Sequence, residues 1–267
     1  MNKPLKKKYF FLSGMPRAGN TLLSSILNQN PNIGATANSL ITDMLFETSQ
    51  LKNKETFLSF PDHQSLDNVL DNIIPNYYKD WDCKYIVERS PVGAPKNLEI
   101  LQKHLKQPIK IIALTRPILE VLSSFLKVSE NWKVSDEKKC DLLMCEGGMI
   151  YNSLVSIENL SKTENKHMVH FVSYKDFVRN SKETIKDIYK FLEIPLFKHH
   201  FKDLEQFSAN GISYVEGWLD GRKSKYENLH TIKTNDFSLT KHKPLPQIVI
   251  DKFKHLNSIG VNYGEKK

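Results

Sequence analysis

The chain has 267 residues, of which 40% are hydrophobic and 10% aromatic. This composition fits one α/β domain spanning residues 1–267, or at most two small domains, and excludes disordered, collagen-like and coiled-coil proteins. No segment approaches the roughly 20 apolar residues of a membrane span, and the basic N-terminus lacks the apolar core of a signal peptide. The formal net charge of +8 favours an anionic ligand, unless the lysines near the two termini are simply solvated.

The cysteines and histidines indicate neither a disulfide framework nor a metal site. Cys83, Cys140 and Cys145 cannot all pair with one another, and their spacing is not that of a zinc site. The histidines at 167/170 and 199/200 have no companions at metal-ligand spacing. We therefore expect no metal, reduced thiols and a cytoplasmic location.

The first half of the chain alternates short apolar runs with helical patterns. Residues 9–13 (YFFLS), bounded by Gly14, are typical of a buried strand. From Gly19 the apolar residues recur at helical spacing until NQNPN ends the helix. The other elements predicted here are helices near 40–50 and 65–75, a strand at 84–88 and a helix after Pro95.

The second half continues this alternation. Residues 110–115 (KIIALT) give the most regular strand pattern of the chain, and Arg116 and Pro117 end it. Pro117 suits the first turn of a helix. The other elements predicted here are the rest of that helix, one long helix at 138–161, a strand at 168–174, a helix at 181–193 and a last helix near 246–257, with 205–245 irregular.

Strands that alternate with helices predict an α/β fold with a parallel central sheet covered on both faces, as in phosphate-loop proteins. In such sheets, ligands bind at the carboxyl ends of the strands. The residues just past the predicted strand ends are 13–21, 88–91, Arg116 and Tyr174. We therefore expect the ligand site among them.

The stretch GMPRAGNT, residues 14–21, has the outline of a nucleotide-binding phosphate loop, but Asn20 replaces the lysine and an arginine stands at position 17. A glycine-flanked turn that leads into a helix offers N–H groups and the helix dipole to an anion. Arg17 adds a planar cation suited to a tetrahedral oxyanion, and Thr21 adds a hydroxyl. A turn that only links strand to helix is the alternative.

An enzyme that uses ATP or GTP normally needs that lysine and a magnesium ion held by a strand-end aspartate. The strand at 110–115 instead ends in Thr115 and Arg116. A cation at the position of a metal ligand argues against a phosphate-loop kinase or hydrolase, and it favours a ligand that is bound without metal.

Arg116 and Ser124 form a second candidate phosphate-binding group. Ser124 follows Pro117 by seven residues, which is about two helical turns and nearly on the same line of the helix. It lies beside Val121, at the margin of an apolar stripe, where its hydroxyl can meet a phosphate that Arg116 also grips. A surface ion pair for Arg116, with no role for Ser124, is the alternative.

Together these segments resemble the sulfotransferases that use 3′-phosphoadenosine 5′-phosphosulfate (PAPS). FLSGMPRAGNTLLSSILNQNP is similar to the family's 5′-phosphosulfate loop, and TRPILEVLSSF is similar to its 3′-phosphate motif. VERSPVGAPKNLEIL is similar to the basic-x-proline segment after the second strand, and VSYKDF to the segment whose tyrosine packs on adenine. The spacing and order match over most of residues 8–195.

The resemblance implies a metal-independent enzyme that transfers a sulfuryl group from PAPS to a hydroxyl or amine by in-line displacement. It implies a small-molecule, glycan or peptide acceptor and no nucleic-acid partner. Arg116 and Ser124 would hold the 3′-phosphate, and Tyr174 would stack on adenine unless it is simply a core residue. The residues implied to hold the 5′-phosphosulfate are Arg17, Ala18, Gly19, Asn20 and Thr21.

Sulfuryl transfer requires fixed donors that stabilise the charge building on the leaving oxygen. Arg17, Thr21 and the loop N–H groups can supply them. Arg89 is a further candidate because it matches the family's basic residue two positions before proline. An ion pair between Arg89 and Glu88 is the alternative.

The reaction also requires a base that takes the proton of the acceptor. The glutamate that some family members carry after the phosphate-loop helix corresponds to Asn38, which cannot act as a base. Glu88 and Asp43 are the leading candidates, followed by Glu47. Because Asn38 cannot act as a base, a non-catalytic protein that binds adenosine bisphosphate or polyanions is the alternative.

The glycine-rich C-terminal motif with which many cytosolic members cover the 3′-phosphate is not evident. Residues 220–233 (DGRKSKYENLHTIK) occupy a comparable place. This basic segment is either a lid over the cofactor or a solvated loop.

Overall fold

A five-stranded parallel sheet lies at the centre of the fold. The computed structural model describes residues 6–130, 132–213, 218–219, 222–223, 232, 239 and 243–259. The strands of the sheet are β1 (Lys8–Leu12), β2 (Ile33–Ala35), β3 (Tyr85–Arg89), β4 (Ile111–Thr115) and β5 (Val169–Ser173). Their order is β2-β3-β1-β4-β5. The predicted α/β fold with a parallel sheet flanked by helices is confirmed.

Strands β1 and β4 lie inside the sheet because they are apolar along their length. Every residue of β4, and all of β1 except Lys8, is buried, as is typical of parallel strands covered on both faces. The register pairs Phe11 with Glu88 of β3 and with Ile111 of β4. The carboxyl ends of these three strands therefore lie side by side, and so do the loops that follow them.

Helices connect the strands and flank the sheet. They are α1 (Asn20–Leu27), α2 (Ile41–Gln50), α3 (Glu55–Ser59), α4 (His63–Tyr77), α5 (Pro95–His104), α6 (Ile118–Val128), α7 (Asp136–Met144), α8 (Met149–Ser161), α9 (Tyr174–Arg179), α10 (Ser181–Leu192) and α11 (Gln247–Phe253), with short 3-10 turns at Leu51–Asn53, Thr163–Met168 and Lys254–Leu256. Two antiparallel pairs of two-residue strands complete the described elements: β6 (Ser208–Ala209) with β7 (Ile212–Ser213), and β8 (Trp218–Leu219) with β9 (Arg222–Lys223).

The prediction of one long helix at 138–161 is wrong, because α7 and α8 are separate helices. Gly147 has a φ of 81°, a left-handed conformation that ends a helix. A Cβ on Gly148 would lie 2.6 Å from the carbonyl oxygen of Leu143. Two adjacent glycines were the signal for this break, and the apolar periodicity on either side concealed it.

Tyr174 begins helix α9 and does not end a strand, which corrects the predicted strand at 168–174. Ser173 is the N-cap, and its Oγ accepts a hydrogen bond from the N–H of Asp176 at 3.4 Å. This cap turns the chain out of the sheet. Tyr174 therefore lies at the carboxyl end of β5, next to β4.

The three cysteines are free thiols, and burial, followed by the nearby Asp136, raises the pKa of Cys140 to about 12.

Within the part of the chain that the structure describes, each helix is too short or too polar to cross a bilayer.

Candidate functional site

The loop between β1 and α1, residues 13–19, is held from inside the protein. The N–H of Met15 donates to the carbonyl of Leu114 at 2.8 Å, and the Asn20 side-chain amide donates to the carbonyl of Met15 at 2.7 Å. A Cβ on Gly14 would lie only 2.3 Å from Oδ1 of Asn20. The asparagine at the lysine position thus fastens the loop, and only glycine fits beside it.

Two residues of this loop have a left-handed backbone. Arg17 has a φ of 61° and Gly19 a φ of 91°. For a residue with a Cβ this conformation costs roughly 1–2 kcal/mol, so the backbone at Arg17 is strained. The loop leads directly into α1, whose first N–H groups have no partner within the helix and carry the positive end of its dipole. These features favour an anion at this point.

Two arginines and a serine from three elements lie in contact beside the loop. Nε of Arg17 donates to Oγ of Ser124 at 3.1 Å, and Nη1 of Arg116 donates to the main-chain carbonyl of Arg17 at 2.8 Å. Arg116 is 2% exposed and Ser124 is 9% exposed. The phosphate loop, the end of β4 and helix α6 therefore meet in a single place.

Burial and neighbouring charge both act on the two arginines. Burial, followed by the charge of the neighbouring Arg116, lowers the pKa of Arg17. Oε2 of Glu120, one turn into α6, accepts from Nε of Arg116 at 3.1 Å. Two neighbouring guanidinium groups, one of them 2% exposed, would both interact favourably with an anionic ligand.

Tyr174 packs against both Arg116 and the phosphate loop. The guanidinium carbon of Arg116 lies 4.3 Å from the centre of the Tyr174 ring, in a cation–π contact. A Cβ on Gly19 would lie 3.2 Å from Cδ2 of the same ring. Tyr174 therefore fixes the position of Arg116 relative to the loop.

Comparison with known proteins assigns the chain to a family. The sequence model described as the sulfotransferase domain matches residues 7–214, which is more than half of the 267 residues. The chain belongs to the sulfotransferase family. The family resemblance predicted from the sequence is thereby confirmed, and the protein is grouped with enzymes that transfer sulfuryl groups.

Solved structures show the same fold. The sulfotransferase domain of the olefin synthase from Synechococcus PCC 7002 is 19% identical, with a TM-score of 0.51 and 96% of each chain covered. A sulfotransferase from Alicyclobacillus acidocaldarius is 12% identical, with a TM-score of 0.53, and the match covers 98% of this chain and 94% of that one. No curated protein sequence matches the chain.

In this sulfotransferase, the residues predicted to hold the cofactor lie at the carboxyl ends of β1, β4 and β5. The two arginines come together with Ser124 and Tyr174, and the loop leads to them. The side chain of Asn20 faces inward, so a ligand would accept a hydrogen bond from its main-chain N–H at the start of α1 and would not contact the side chain. The residues of this cluster are Arg17, Ala18, Gly19, Asn20, Thr21, Arg116, Ser124 and Tyr174.

Arg89 ends β3, next to β1 in the sheet. Its N–H donates to Oγ1 of Thr36 at 2.7 Å, and its guanidinium donates to the carbonyl of Ala37. Oγ of Ser24, in α1, donates to the carbonyl of Thr36 at 2.9 Å. The segment after β2 thus links Arg89 to the helix that follows the phosphate loop.

The two base candidates have opposite environments. Glu88 is 0% exposed, and its carboxyl accepts from Oγ of Ser39 at 2.6 Å, from Oγ1 of Thr36 at 3.4 Å and from the hydroxyl of Tyr78. Burial raises the pKa of Glu88, while these hydroxyls act in the opposite direction. Asp43 is exposed in the first turn of α2.

Sequence reasoning did not single out Glu120, Ser39 or Tyr78. Arg116 precedes α6 and Glu120 lies in its first turn, four residues on, and this spacing was an available signal for their ion pair. The proposed lid at 220–233 lies largely outside the described residues. Among those described, no cluster of three or more histidine, cysteine, aspartate or glutamate side chains can hold a metal ion.

Replacing Gly19 by alanine should lower the free energy of unfolding by about 1–3 kcal/mol, because the left-handed backbone and the close approach to Tyr174 both act against a Cβ. Gly147→Ala is the matched control, since Gly147 has a φ of 81° with nothing within 4 Å of the added Cβ. Urea unfolding of both variants measures the difference. An equal loss in the two would show that the ring of Tyr174 is not tightly packed on the loop.

Proposed function

We propose that this sulfotransferase takes its sulfuryl group from PAPS and transfers it, without a metal ion, to a hydroxyl or amine. The contact between Arg17, Arg116 and Ser124 is the observation that carries the proposal. A strand-end guanidinium occupies the place where a nucleoside triphosphate enzyme needs an anionic metal ligand. Two cations and a hydroxyl at a helix N-terminus suit a nucleotide with separate phosphate groups.

Each residue of the cluster has a role in this proposal. The loop from Arg17 to Thr21 holds the 5′-phosphosulfate, and Arg116 and Ser124 hold the 3′-phosphate. The ring of Tyr174 adjoins both and packs against adenine. Bound PAPS supplies an activated sulfuryl group on its 5′-phosphate. The hydrogen bonds that Arg17 and Arg116 now make to Ser124 and Glu120 are then exchanged for bonds to the nucleotide.

Arg17, Thr21 and the N–H groups at the start of α1 stabilise the negative charge that builds on the bridging oxygen. Fixed donors of this kind need little reorganisation during the reaction. Arg89, at the end of the neighbouring strand, serves as a further donor. Glu88 and Asp43 are the candidates for the group that receives the acceptor's proton.

In this proposed function, residues 1–267 form one catalytic domain in the cytoplasm. The acceptor is a small molecule, a glycan or a peptide. A second candidate function is non-catalytic binding of adenosine 3′,5′-bisphosphate (PAP), and the complete burial of the Glu88 carboxyl favours it.

The purified protein should transfer labelled sulfate from PAPS to a mixture of small molecules, glycans and peptides in the presence of EDTA. Release of PAP and labelled product, followed by chromatography, measure the transfer. Tight binding of PAP with no turnover of any acceptor would support the non-catalytic function. Transfer of phosphate from Mg-ATP, with no response to PAPS, would contradict both.

A further inference from the structure

A serine and a buried glutamate from two separate segments form a hydrogen-bonded pair at the carboxyl edge of the sheet. Oγ of Ser39 donates to Oε1 of Glu88 at 2.6 Å. Glu88 is fully enclosed, whereas Ser39 is partly exposed. The serine is therefore the member of the pair that a bound molecule can touch.

Ser39 is also held in a defined orientation. Its Oγ accepts a hydrogen bond from the N–H of Ile41 at 3.0 Å, in the first turn of α2. The hydroxyl thus receives a bond from Ile41 and gives one to Glu88, and Tyr78 lies within hydrogen-bonding reach of it. A serine oxygen has two lone pairs, so one beyond the bond from Ile41 can accept a proton from a bound molecule. An oxygen with a donor on one side and a carboxylate on the other is arranged for proton transfer.

The surroundings tie this pair to the proposed reaction centre. Two residues before Ser39, the carbonyl of Ala37 accepts from the guanidinium of Arg89. One residue earlier, the carbonyl of Thr36 accepts from Ser24 in α1. The segment that carries Ser39 therefore contacts a proposed donor and the helix that follows the phosphate loop, and Thr36 of this segment also donates to Glu88.

We infer that Ser39 is a catalytic residue which accepts the proton of the acceptor while Glu88 accepts the proton of Ser39, an inference that rests on the proposed function. The acceptor oxygen forms its bond to sulfur as its proton moves to Oγ of Ser39. The proton of Ser39 moves to Oε1 of Glu88, and the bond between sulfur and the bridging oxygen breaks. The bridging oxygen keeps the electron pair and leaves with PAP. The proton on Glu88 later returns through Ser39 to solvent.

Tyr78 contacts the second oxygen of the Glu88 carboxyl and changes the pKa of that carboxyl. Its hydroxyl donates to Oε2 of Glu88, and burial, followed by the charge of Glu88, raises the pKa of Tyr78, so that it stays a neutral donor. Among the described residues, Tyr77 in α4 also responds to this carboxyl, since burial, followed by the charge of Glu88, raises the pKa of Tyr77. Arg89, the next residue of the strand, donates to the carbonyl of Ala37. The hydrogen bond from Tyr78 lowers the pKa of Glu88, and burial acts against it.

The test compares kcat as a function of pH in the wild-type protein and five variants, with PAP binding measured by thermal shift for each. Ser39→Ala and Glu88→Gln should each lower kcat by about 100-fold or more, the usual contribution of general-base catalysis. Both should keep the wild-type thermal shift with PAP. Ser49→Ala, which removes a buried serine of α2 that bonds within its own helix, is the matched control and should keep wild-type kcat.

Tyr78→Phe separates proton transfer from a structural role. The wild-type kcat should fall as the pH falls through the pKa of Glu88, at a pH above the 4.5 of an ordinary glutamate. Loss of the hydrogen bond from Tyr78 raises that pKa, so the fall should move to higher pH while kcat on the plateau stays near wild type. A structural role would instead lower the plateau without moving the fall.

The inference is overturned if wild-type protein turns over PAPS while Ser39→Ala keeps its kcat, or if Asp43→Asn is the variant that loses the fall at low pH. Wild-type protein that binds PAP and transfers no sulfate would instead contradict the proposed function on which the inference rests. The two failures are therefore distinguished by the wild-type assay alone.

Discussion

Replacing Arg116 by alanine should weaken the binding of PAP by about 100-fold or more, the loss expected when two charge-assisted hydrogen bonds of about 1.5–3 kcal/mol each are removed. Arg116 is the most buried cation of the cluster, and it touches three of its parts: the carbonyl of Arg17, the carboxylate of Glu120 and the ring of Tyr174. Calorimetric titration of PAP measures the affinity. Arg116→Lys, which keeps the charge and loses the planar fork, should recover only part of it.

The matched control for this variant is Arg179→Ala, which removes the same charge from an exposed position at the end of α9. Its affinity for PAP should equal that of the wild-type protein at 0.15 M salt, because salt screens the interactions of exposed charges. A comparable loss in both variants would mean that PAP responds only to net charge. Unchanged affinity in Arg116→Ala would remove Arg116 from the site.

Replacing Arg17 by glycine should lower kcat for sulfate transfer by about 100- to 1000-fold, the usual effect of removing one fixed donor to a developing negative charge. The backbone of Arg17 is strained at a φ of 61°, a conformation that glycine adopts without strain. The free energy of unfolding should therefore be unchanged or higher. Steady-state kinetics and urea unfolding on the same preparation measure both quantities.

Two further variants show which property of Arg17 matters. Arg17→Lys keeps a cation in the loop and should retain more activity than the glycine variant. Ser124→Ala removes the partner of Nε of Arg17 together with the proposed contact to the 3′-phosphate, and it should raise the KM for PAPS more than it lowers kcat. If Arg17→Gly lost stability together with activity, the loop would depend on the arginine for folding and the catalytic interpretation would be wrong.

The juxtaposition of Arg17 and Arg116 was predictable from the sequence. Each follows an apolar run that forms a strand, and the carboxyl ends of adjacent parallel strands meet at one edge. Periodicity and a topological rule were enough for the arginines because their positions follow directly from β1 and β4. The eight-residue step from Arg116 to Ser124 predicted a phosphate shared by these two side chains, whereas the bond between Ser124 and Arg17 was not predicted.

The environment of Glu88 was not predictable in this way. Its three hydroxyl partners come from residues 10 to 52 positions away in the chain, and no spacing rule joins them. Sequence reasoning placed the carboxylate at a strand end, where exposure is common. The packing of α4 and of the segment after β2 encloses it instead, which changes its chemistry from that of a surface carboxylate to that of a buried one.

The break between α7 and α8 and the start of α9 were missed for a different reason. Both depend on single residues, the left-handed Gly147 and the capping Ser173. An apolar pattern continues across each of them, so an argument from periodicity passes over the boundary. The error matters at Tyr174, because its position in a new helix brings the ring against Arg116.

The most direct test of the central claim is a calorimetric titration of the wild-type protein with PAP, 5′-AMP and Mg-ATP, the first two in EDTA. We predict one molecule of PAP bound per chain, with 5′-AMP weaker by about 100-fold or more because it lacks the phosphate that Arg116 and Ser124 hold. Equal affinity for PAP and 5′-AMP, or tighter binding of Mg-ATP, would contradict the claim that the two arginines hold the two phosphate groups of one nucleotide.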